Sequence, residues 1–481
     1  MRGNIQGSLP IIAITIAGLL SAQTRPAAKV APGPLQEDFR IFRGALEEGH
    51  SGIYRYTAKT EMDHVFDAAA KQIVQPMSAL EFYRLLAPVV ARIKCGHTAV
   101  LPPRDIQEAL AKTIPLFPFD VEVLDGKMYT LREYMPDEQH LTGLEVRRIN
   151  GVPIERILAT MIAATPGDGD SETVRPWRIG RGGAFPRLLY SVVAIASPFV
   201  IEFRDPKSGA NRTARLSGVR GDFRETIAPV RYARDQKPES AADLKFLDGG
   251  RTAILTVRQF AGKAGGRFFD DAFTQIQRQN ARSLIIDVRN NNGGADELGK
   301  KLLSFLVDQP FRYYDDLVLN AREFSFGRYV EGGGGVIPES MVEHGKDGKF
   351  HNIQHPNWGM QQPSQPYFAG RLLALMNGGS FSTTCEFLSN LHSRKRATFI
   401  GEEAAGGYYG NTSGRVPTVV LPNSKVAVRV PLQTYYLAVN GADPRRSILP
   451  DLEVKPTIQD LLSGNDPVMS TALELARAAT N

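Results

Sequence analysis

Three kinds of hydrophobic pattern divide the chain. Between residues 36 and 105, apolar residues recur every three or four positions, which predicts a helical N-terminal region. Between 106 and 225, apolar and polar residues alternate in short runs, which predicts a strand-rich domain. From 244 to 460, short apolar strands alternate with amphipathic helices, and residues 461–481 form a predicted C-terminal helix. The pattern as a whole is typical of a multi-domain α/β protein.

The first residues have the pattern of a secretory signal peptide. Arg2 precedes an apolar run over residues 9–20, which is too short to span a bilayer, and the small residues Ser21 and Ala22 follow it. We predict a signal peptide over residues 1–22 and a flexible, Pro/Ala-rich lead-in over 23–35. The predicted location is periplasmic or secreted, with no stable membrane span after signal cleavage. An uncleaved membrane anchor is the alternative, because the basic region carries one positive charge.

The strand-rich domain contains a recognisable hairpin and a compact β-turn-helix segment. Residues 119–123 alternate in polarity, Asp125-Gly126 is a hairpin turn signal, and residues 128–131 resume the strand. The segment GLEVRRINGVPIERIL, residues 143–158, resembles a PDZ domain, which binds extended peptides by strand addition. The resemblance implies a PDZ-like domain over residues 106–225.

Two strand-to-helix turns in the α/β part have the residues of a reactive site. The predicted strand 283–289 ends in Asn290-Asn291-Asn292-Gly293-Gly294, where glycines let backbone N–H groups approach a ligand. The predicted strand 372–376 ends in Asn377-Gly378-Gly379, and helical spacing resumes at Phe381. The sequence between them includes a Gly/Pro-rich insertion over residues 313–366, which we interpret as a flap beside the site.

Ser382 stands at the second of these turns. A serine there holds its hydroxyl at the open end of a sheet, and the N–H groups of the first helical turn face any oxyanion that forms. The alternative is that Ser382 only caps the helix, which is a common role for serine.

His97 lies in a predicted helix-to-strand turn, where a single histidine is most often solvated or capping. The chain's two cysteines are close in sequence to these two residues: Cys95 precedes His97 by two positions, and Cys385 follows Ser382 by three. Two cysteines are too few for a disulfide scaffold, and no Cys/His cluster has zinc-ligand spacing. The sequence therefore predicts no metal and no cofactor.

Composition and charge exclude one class of function. The chain is 42% apolar and 22% charged, which is ordinary for a soluble globular protein. Its net charge of +6 is modest for 481 residues, and no basic run contains interleaved aromatic residues. Nucleic-acid binding is therefore not predicted.

Three motifs, in order, resemble one family. LIIDVRNNNGG (284–294), NGGSFSTTCEF (377–387) and LPDLEV (449–454) resemble the strand-and-glycine loop, nucleophile turn and closing motif of the tricorn core protease and C-terminal processing (tail-specific) protease family of serine peptidases. The resemblance implies a crotonase/ClpP-like catalytic domain over 244–460, beside the PDZ-like domain and the helical region.

The family has two branches with different general bases. The processing proteases use a lysine, but an alignment on Gly401-Glu402 places Gly407 at that position. The tricorn-like branch uses a histidine in a Gly-His-Thr motif, which Gly96-His97-Thr98 matches. The resemblance therefore implies Ser382 as nucleophile and His97 as general base, in the histidine-dependent branch.

The resemblance also suggests the remaining groups of the site. Backbone N–H groups of Gly293 or Gly294 and of Thr383 are expected to bind the oxyanion. Asp443, which precedes the closing motif, is the candidate acid that orients His97. Glu402, Glu386 or no acid at all are the alternatives.

A juxtaposition of His97 and Ser382 would bring Cys95 and Cys385 close together. In an exported protein a disulfide between the two thiols could then form. Two buried free thiols are the alternative.

The predicted function is an exported serine endopeptidase that acts on proteins or peptides; no oligomeric state is predicted. One competing interpretation is a non-catalytic member of the same fold that binds peptides or lipophiles. A crotonase-like acyl-CoA enzyme is the other, and predicted export and the PDZ-like domain argue against it.

Overall fold

The structure is a computed structural model that describes residues 28–232, 240–262, 265–333 and 336–478. The predicted signal peptide, residues 1–22, lies outside these residues. Of the helices that are described, none is both long and apolar enough to cross a membrane.

The N-terminal region is helical, as predicted. Its elements are β1 (Lys29–Val30), α1 (Pro32–Gly49), α2 (Lys59–Ala70), β2 (Met77–Ser78), α3 (Ala79–Arg92), β3 (Ala99–Leu101) and α4 (Arg104–Lys112). The flexible lead-in predicted for 23–35 is therefore wrong from Lys29 onward, because β1 pairs with β2 and α1 begins at Pro32. The fixed φ of proline suits the first helical position, so Pro32 starts a helix rather than extending a linker.

The middle domain, residues 116–232, is built on an antiparallel sheet in the order β4-β5-β6-β8-β9. Its elements are β4 (Phe119–Leu124), β5 (Lys127–Glu133), β6 (Glu145–Ile149), β7 (Val152–Pro153), α5 (Ile154–Ala164), α6 (Val174–Gly180), α7 (Ala184–Ser191), β8 (Phe199–Arg204), β9 (Asn211–Leu216) and α8 (Gly221–Arg231). Asp125 and Gly126 form the β4–β5 turn with φ of 47° and 74°. The loop between α5 and α6 leaves this domain and reaches the candidate site.

The α/β part begins with a six-stranded sheet in the order β10-β11-β12-β18-β19-β24, parallel except for β10. Its elements are β10 (Ala242–Leu247), β11 (Thr252–Val257), α9 (Gly265–Arg278), β12 (Ser283–Asp287), α10 (Asp296–Ser304), β13 (Phe311–Arg312), β14 (Tyr314–Leu319), β15 (Glu343–His344), β16 (Phe350–His351), β17 (Met360–Gln361), β18 (Arg371–Met376), α11 (Thr383–Ser393), β19 (Thr398–Gly401), β20 (Thr412–Gly414), β21 (Thr418–Val420), β22 (Ala427–Arg429), β23 (Gln433–Leu437), β24 (Leu452–Glu453), α12 (Ile458–Ser463) and α13 (Pro467–Ala478).

Helices cover both faces of this parallel sheet. Apolar residues of α9, α10 and α11 pack on one face, and Val468, Ala472 and Ala476 of α13 pack on the other. Burial on both faces explains why β12 and β18 are continuous apolar runs rather than alternating ones. The turns after β12 and β18 both lie at the carboxyl edge of the sheet, where ligands bind in open α/β sheets.

The predicted flap, residues 313–366, is only partly peripheral. Its strand β14 lies inside a second sheet with the order β15-β16-β14-β23-β20, and Tyr313, Tyr314 and Leu317 are fully buried. The start of the insertion is therefore core. The Gly- and Pro-rich residues that follow it obscured a six-residue strand.

A third sheet joins distant parts of the chain. Strand β3 pairs with β22, and β22 pairs with β21, so residues 99–101 lie beside residues 427–429. The apolar residues of β22, Val428 among them, complete the core of the N-terminal helices. This pairing fixes the position of the turn that precedes β3, which carries His97.

Candidate active site

One hydrogen bond closes the nucleophile turn, and two more hold it to the segment after β12. Ser380 N–H donates to Asn377 O at 2.8 Å, and Ser380 Oγ donates to Val288 O at 2.9 Å. Phe381 N–H donates to Asn291 O at 3.1 Å. The two turns at the carboxyl edge of the sheet therefore form one rigid unit.

Ser382 adopts a strained backbone conformation, with φ of 57° and ψ of −129°. A non-glycine residue rarely has a positive φ, and such strain is concentrated at functional sites. Although Ser382 occupies the N-cap position of α11, its side chain makes no capping hydrogen bond. The hydroxyl instead lies 3.1 Å from Nε2 of His97, across 285 residues of sequence. The capping interpretation of Ser382 is therefore wrong.

The histidine turn is held by Phe381 of the nucleophile turn and by Arg178 of the middle domain. The ring of His97 stacks on Phe381 with centroids 4.5 Å apart. Arg178 lies 4.6 Å from the centre of the same Phe381 ring, and its Nη1 donates to Gly96 O at 3.0 Å and Pro166 O at 2.7 Å. These contacts fix both the backbone and the ring plane of the histidine.

The surroundings of His97 keep its imidazole neutral. Burial, together with the positive charges of Arg178 and Arg429 and the nearby His50, lowers the pKa of His97 to about 3. A neutral imidazole with Nε2 facing a hydroxyl can accept the hydroxyl proton, which is the requirement for a general base.

The predicted oxyanion groups lie around Ser382. The Cα of Gly293 is so close that an added Cβ would come within 2.8 Å of Ser382 Cβ. The N–H of Gly293, however, already donates to Asn291 Oδ1 at 2.9 Å. Thr383 Oγ1 donates to Gly294 O at 2.8 Å, which draws the two segments together. The N–H groups of Gly294 and Thr383 thus remain the predicted oxyanion donors.

Asp443 does not orient His97 in this structure. Its side chain is exposed, and Oδ1 accepts a hydrogen bond from Arg445 N–H at 2.8 Å, so the carboxylate stabilises its own turn. The alternative Glu386 is buried and accepts from Tyr314 Oη at 2.8 Å and Asn411 Nδ2 at 2.7 Å. Among the described residues, Nδ1 of His97 has no hydrogen-bond partner.

A carboxylate that the sequence analysis missed lies beside His97. Asp168, in the loop between α5 and α6, is buried and accepts hydrogen bonds from Gly96 N–H at 2.5 Å and Gly407 N–H at 3.3 Å. One of its oxygens, a ring nitrogen of His97 and Cys95 Sγ all lie within 4.8 Å of one another. The only local signal was the segment Pro-Gly-Asp-Gly-Asp, which is also typical of an ordinary surface loop.

The predicted disulfide is wrong, because Cys95 and Cys385 are both free and buried. Cys95 Sγ donates to Thr412 O at 3.3 Å, and Cys385 Sγ lies 3.4 Å from Ser447 Oγ. Burial raises the pKa of Cys95 to about 11 and that of Cys385 to about 12. Both are therefore protonated, unreactive thiols at neutral pH.

A cleft of about 580 Å³ opens beside the site, between the middle domain and the carboxyl edge of the sheet. Trp177 and Arg181 line it from the middle domain, and Asn290, Gly378 and Glu402 line it from the strand ends. Asn290 and Gly378 belong to the same turns as the oxyanion glycines and Ser382. The cleft therefore borders both turns, although neither Ser382 nor His97 is among the residues that line it.

Comparison with known proteins agrees with this geometry. Residues 251–454 match the model of Peptidase family S41. Mature CPAF is similar in structure, with a TM-score of 0.61 and 15% sequence identity over 92% of this chain and 96% of that chain. Mature CPAF complexed with lactacystin gives a TM-score of 0.62 and 15% identity over 93% of this chain and 98% of that chain. No curated protein sequence matches the chain significantly.

The matched residues contain the turn that carries Ser382, the two glycines predicted to bind the oxyanion and the closing motif. The prediction of a serine-type peptidase is therefore confirmed at the level of the S41 domain. The likeness to CPAF confirms a mixed α/β, multi-domain fold with a helical N-terminal region. The PDZ-like assignment of the middle domain stays a prediction.

Proposed function

We propose that this chain, whose residues 251–454 match peptidase family S41, is an exported serine endopeptidase of the histidine-dependent, tricorn-like branch. The observation that carries the proposal is the 3.1 Å contact between Ser382 Oγ and His97 Nε2, made by a strained serine and a neutral histidine.

The chemistry follows from these positions. Ser382 attacks a peptide carbonyl while His97 Nε2 takes its proton, and the imidazolium then returns that proton to the leaving amine. The N–H groups of Gly294 and Thr383 stabilise the oxyanion, an interaction that is commonly worth a few kcal/mol. Water repeats the same cycle on the acyl-enzyme with His97 again as base.

The surroundings of Gly407 support the histidine branch. Gly407 stands where alignment would place the lysine of a Ser-Lys dyad, yet any side chain there would collide with the hydroxyl of Tyr56. A Cβ at this position would also lie 2.6 Å from Gly410 O. His97 is the titratable group in hydrogen-bond contact with Ser382, so it is the base that we assign.

The cleft supports an extended polypeptide as substrate. It lies between the middle domain and the carboxyl edge of the sheet and borders the ends of β12 and β18, with polar and apolar residues mixed along its walls. The PDZ-like segment at 143–158, if it binds peptides by strand addition, would hold a substrate on the same side. Export is proposed from the signal-peptide pattern of residues 1–22.

The experiment that tests the proposal is cleavage of an unfolded protein by the mature chain beside Ser382→Ala and His97→Ala. We expect cleavage by the wild type and loss of cleavage in both variants, with circular dichroism spectra that match the wild type. A folded wild type that cleaves nothing, or a Ser382→Ala variant that cleaves as fast as the wild type, would refute the peptidase proposal and favour a binding role.

A further inference from the structure

The catalytic base has one engaged nitrogen and one free nitrogen. Nε2 of His97 faces Ser382 at 3.1 Å, whereas Nδ1 is buried and has no hydrogen-bond partner among the described residues. A buried polar atom without a partner is costly and calls for an explanation. In serine peptidases with a histidine base, the second nitrogen is the one that a carboxylate orients.

Asp168 is a buried carboxylate beside the His97 ring. Its oxygens accept the N–H groups of Gly96 and Gly407, which leaves further lone pairs on both oxygens. An oxygen of Asp168 lies within 4.8 Å of a ring nitrogen of His97. Catalytic hydrogen bonds are often longer in the free enzyme and shorten when substrate binds.

The loop that carries Asp168 is fastened to the histidine turn. Gly169 N–H donates to Lys94 O at 3.0 Å, and Asp170 forms an ion pair with the side chain of Lys94. Arg445 Nε donates to Asp170 Oδ2 at 2.6 Å on the outer side of the loop. Backbone and side-chain contacts of residues 169 and 170 together therefore set the position of Asp168 relative to His97.

The positive charges around His97 disfavour the imidazolium, and a nearby carboxylate would stabilise it. When His97 takes the proton of Ser382 it becomes positive, and Arg178, Arg429 and His50 all disfavour that charge. The titratable groups that interact with Asp168 are Arg178, Arg55 and Arg175, the thiols of Cys95 and Cys385, and the hydroxyl of Tyr56. Burial raises the pKa of Asp168, whereas the hydrogen bonds from Gly96 and Gly407 and the nearby arginines act in the opposite direction. As a carboxylate, Asp168 would offset the positive side chains at the moment of proton transfer.

We propose that Asp168, from the middle domain, is the positioning residue of His97: it holds the histidine turn through Gly96 and accepts the Nδ1–H as the imidazolium forms. The inference rests on the proposed peptidase function. It also means that the catalytic groups come from all three parts of the chain, so the active site is complete only when the middle domain is docked.

A bound cation is the competing explanation of the same cluster, because Cys95, His97 and Asp168 are ligand types that zinc accepts. The three arginines near the carboxylate disfavour a further positive charge. Both oxygens of Asp168 already accept backbone hydrogen bonds. These observations favour the positioning role.

The first test compares Asp168→Asn with Asp137→Asn, the same substitution at an exposed position of the middle domain. We expect Asp168→Asn to lower kcat by about 100-fold or more with KM within threefold, and Asp137→Asn to stay within threefold of wild type in both constants. If Ser382→Ala is inactive while Asp168→Asn keeps wild-type kcat, the positioning role is refuted and the peptidase proposal stands. If the wild type itself is inactive, the peptidase proposal and the positioning role are both refuted.

A second test needs no folded Asp168 variant. In the wild-type complex with a peptide boronate, ¹⁵N-histidine NMR should show a strongly downfield Nδ1 proton on His97, because the imidazolium donates to a carboxylate. The absence of that proton would refute the inference. So would inhibition of the wild type by added Zn²⁺ that disappears in Cys95→Ser, since that result would assign the cluster to a cation.

Discussion

The two catalytic turns are built in opposite ways. The nucleophile turn after β18 is held by groups of its own sheet, through Ser380 to Val288 and Phe381 to Asn291. The histidine turn before β3 is held by Arg178 and Asp168 of the middle domain and, through Asp168, by Gly407. The nucleophile therefore depends on the integrity of one domain, whereas the base depends on the docking of three regions.

Because of this difference, we expect substitutions at the nucleophile turn to affect mainly stability and substitutions at the histidine turn to affect mainly activity. Damage to the nucleophile turn is expected to destabilise the α/β domain, because the turn is part of its core. Damage to the histidine turn is expected to lower turnover while the fold persists, because that turn lies at a junction between domains. Substitutions on each side test the contrast.

The largest effect is predicted for Gly294→Ala, on the nucleophile side. Gly294 has φ of 139°, and a Cβ there would collide with the backbone carbonyl of Phe260. We expect the free energy of unfolding in urea to fall by about 3 kcal/mol. Gly441→Ala is the control, because its φ of 92° is also positive but no atom lies within 4 Å. Equal losses in the two variants would show that the collision is not the cause.

Gly96→Ala should have the converse effect on the histidine side. Its Cβ would come within 2.7 Å of the Phe381 ring on which His97 stacks, so the imidazole should move away from Ser382. We expect kcat to fall by about 100-fold with a much smaller loss of stability than in Gly294→Ala. Gly44→Ala, in open space on α1, should leave kcat unchanged. An unchanged kcat in Gly96→Ala would contradict the proposed packing of the base.

The pH dependence of kcat/KM tests the environment of the base. The pKa of His97 is lowered to about 3, first by burial and then by Arg178, so the base stays neutral through mildly acidic pH. We expect kcat/KM to change little between pH 7 and pH 5. A histidine with an ordinary pKa of about 6.5 would lose about 30-fold at pH 5. An acid limb near pH 6.5 would show that the ring is solvated.

A smaller effect concerns Glu386, which lies under the nucleophile turn. Burial and the nearby Asp296 raise the pKa of Glu386 to about 8, whereas hydrogen bonds from Tyr314 and Asn411 act in the opposite direction. The folded state therefore holds a proton that the unfolded state releases above an ordinary pKa of about 4.5, so stability falls as pH rises toward 8.

The measurement is urea unfolding of wild type and Glu386→Gln at pH 6 and pH 8. Relative to the variant, the wild type should lose about 2 kcal/mol between these values. His97 is present in both proteins, so its contribution cancels when the change in the variant is subtracted from the change in the wild type. A parallel change in the two proteins would contradict the raised pKa.

The sequence predicted the nucleophile side better than the histidine side for a physical reason. Ser382, the preceding strand and the following helix are contiguous, so local periodicity and turn residues identify them. The pairing of His97 with Ser382 came only from the resemblance to a family, because no local pattern connects residues 285 positions apart.

The sequence did not reveal Asp168 for the same reason, since no local pattern connects it to His97. It acts through the backbone N–H groups of Gly96 and Gly407, and sequence patterns contain little information on which backbone group a loop carboxylate will contact. Asp443 was chosen by its place before the closing motif, but its turn uses the carboxylate locally. The disulfide is absent because the contact between His97 and Ser382 does not by itself give the neighbouring cysteines the geometry that a disulfide requires.

The central claim, that His97 activates Ser382, is tested most directly by covalent capture with a fluorophosphonate. The serine oxygen bonds to phosphorus and fluoride leaves, with His97 taking the hydroxyl proton. We predict that peptide mapping finds the label on Ser382 in the wild type, and that folded His97→Ala reacts at least 100-fold more slowly. Labelling at another residue, or equal labelling rates in the two proteins, would contradict the account.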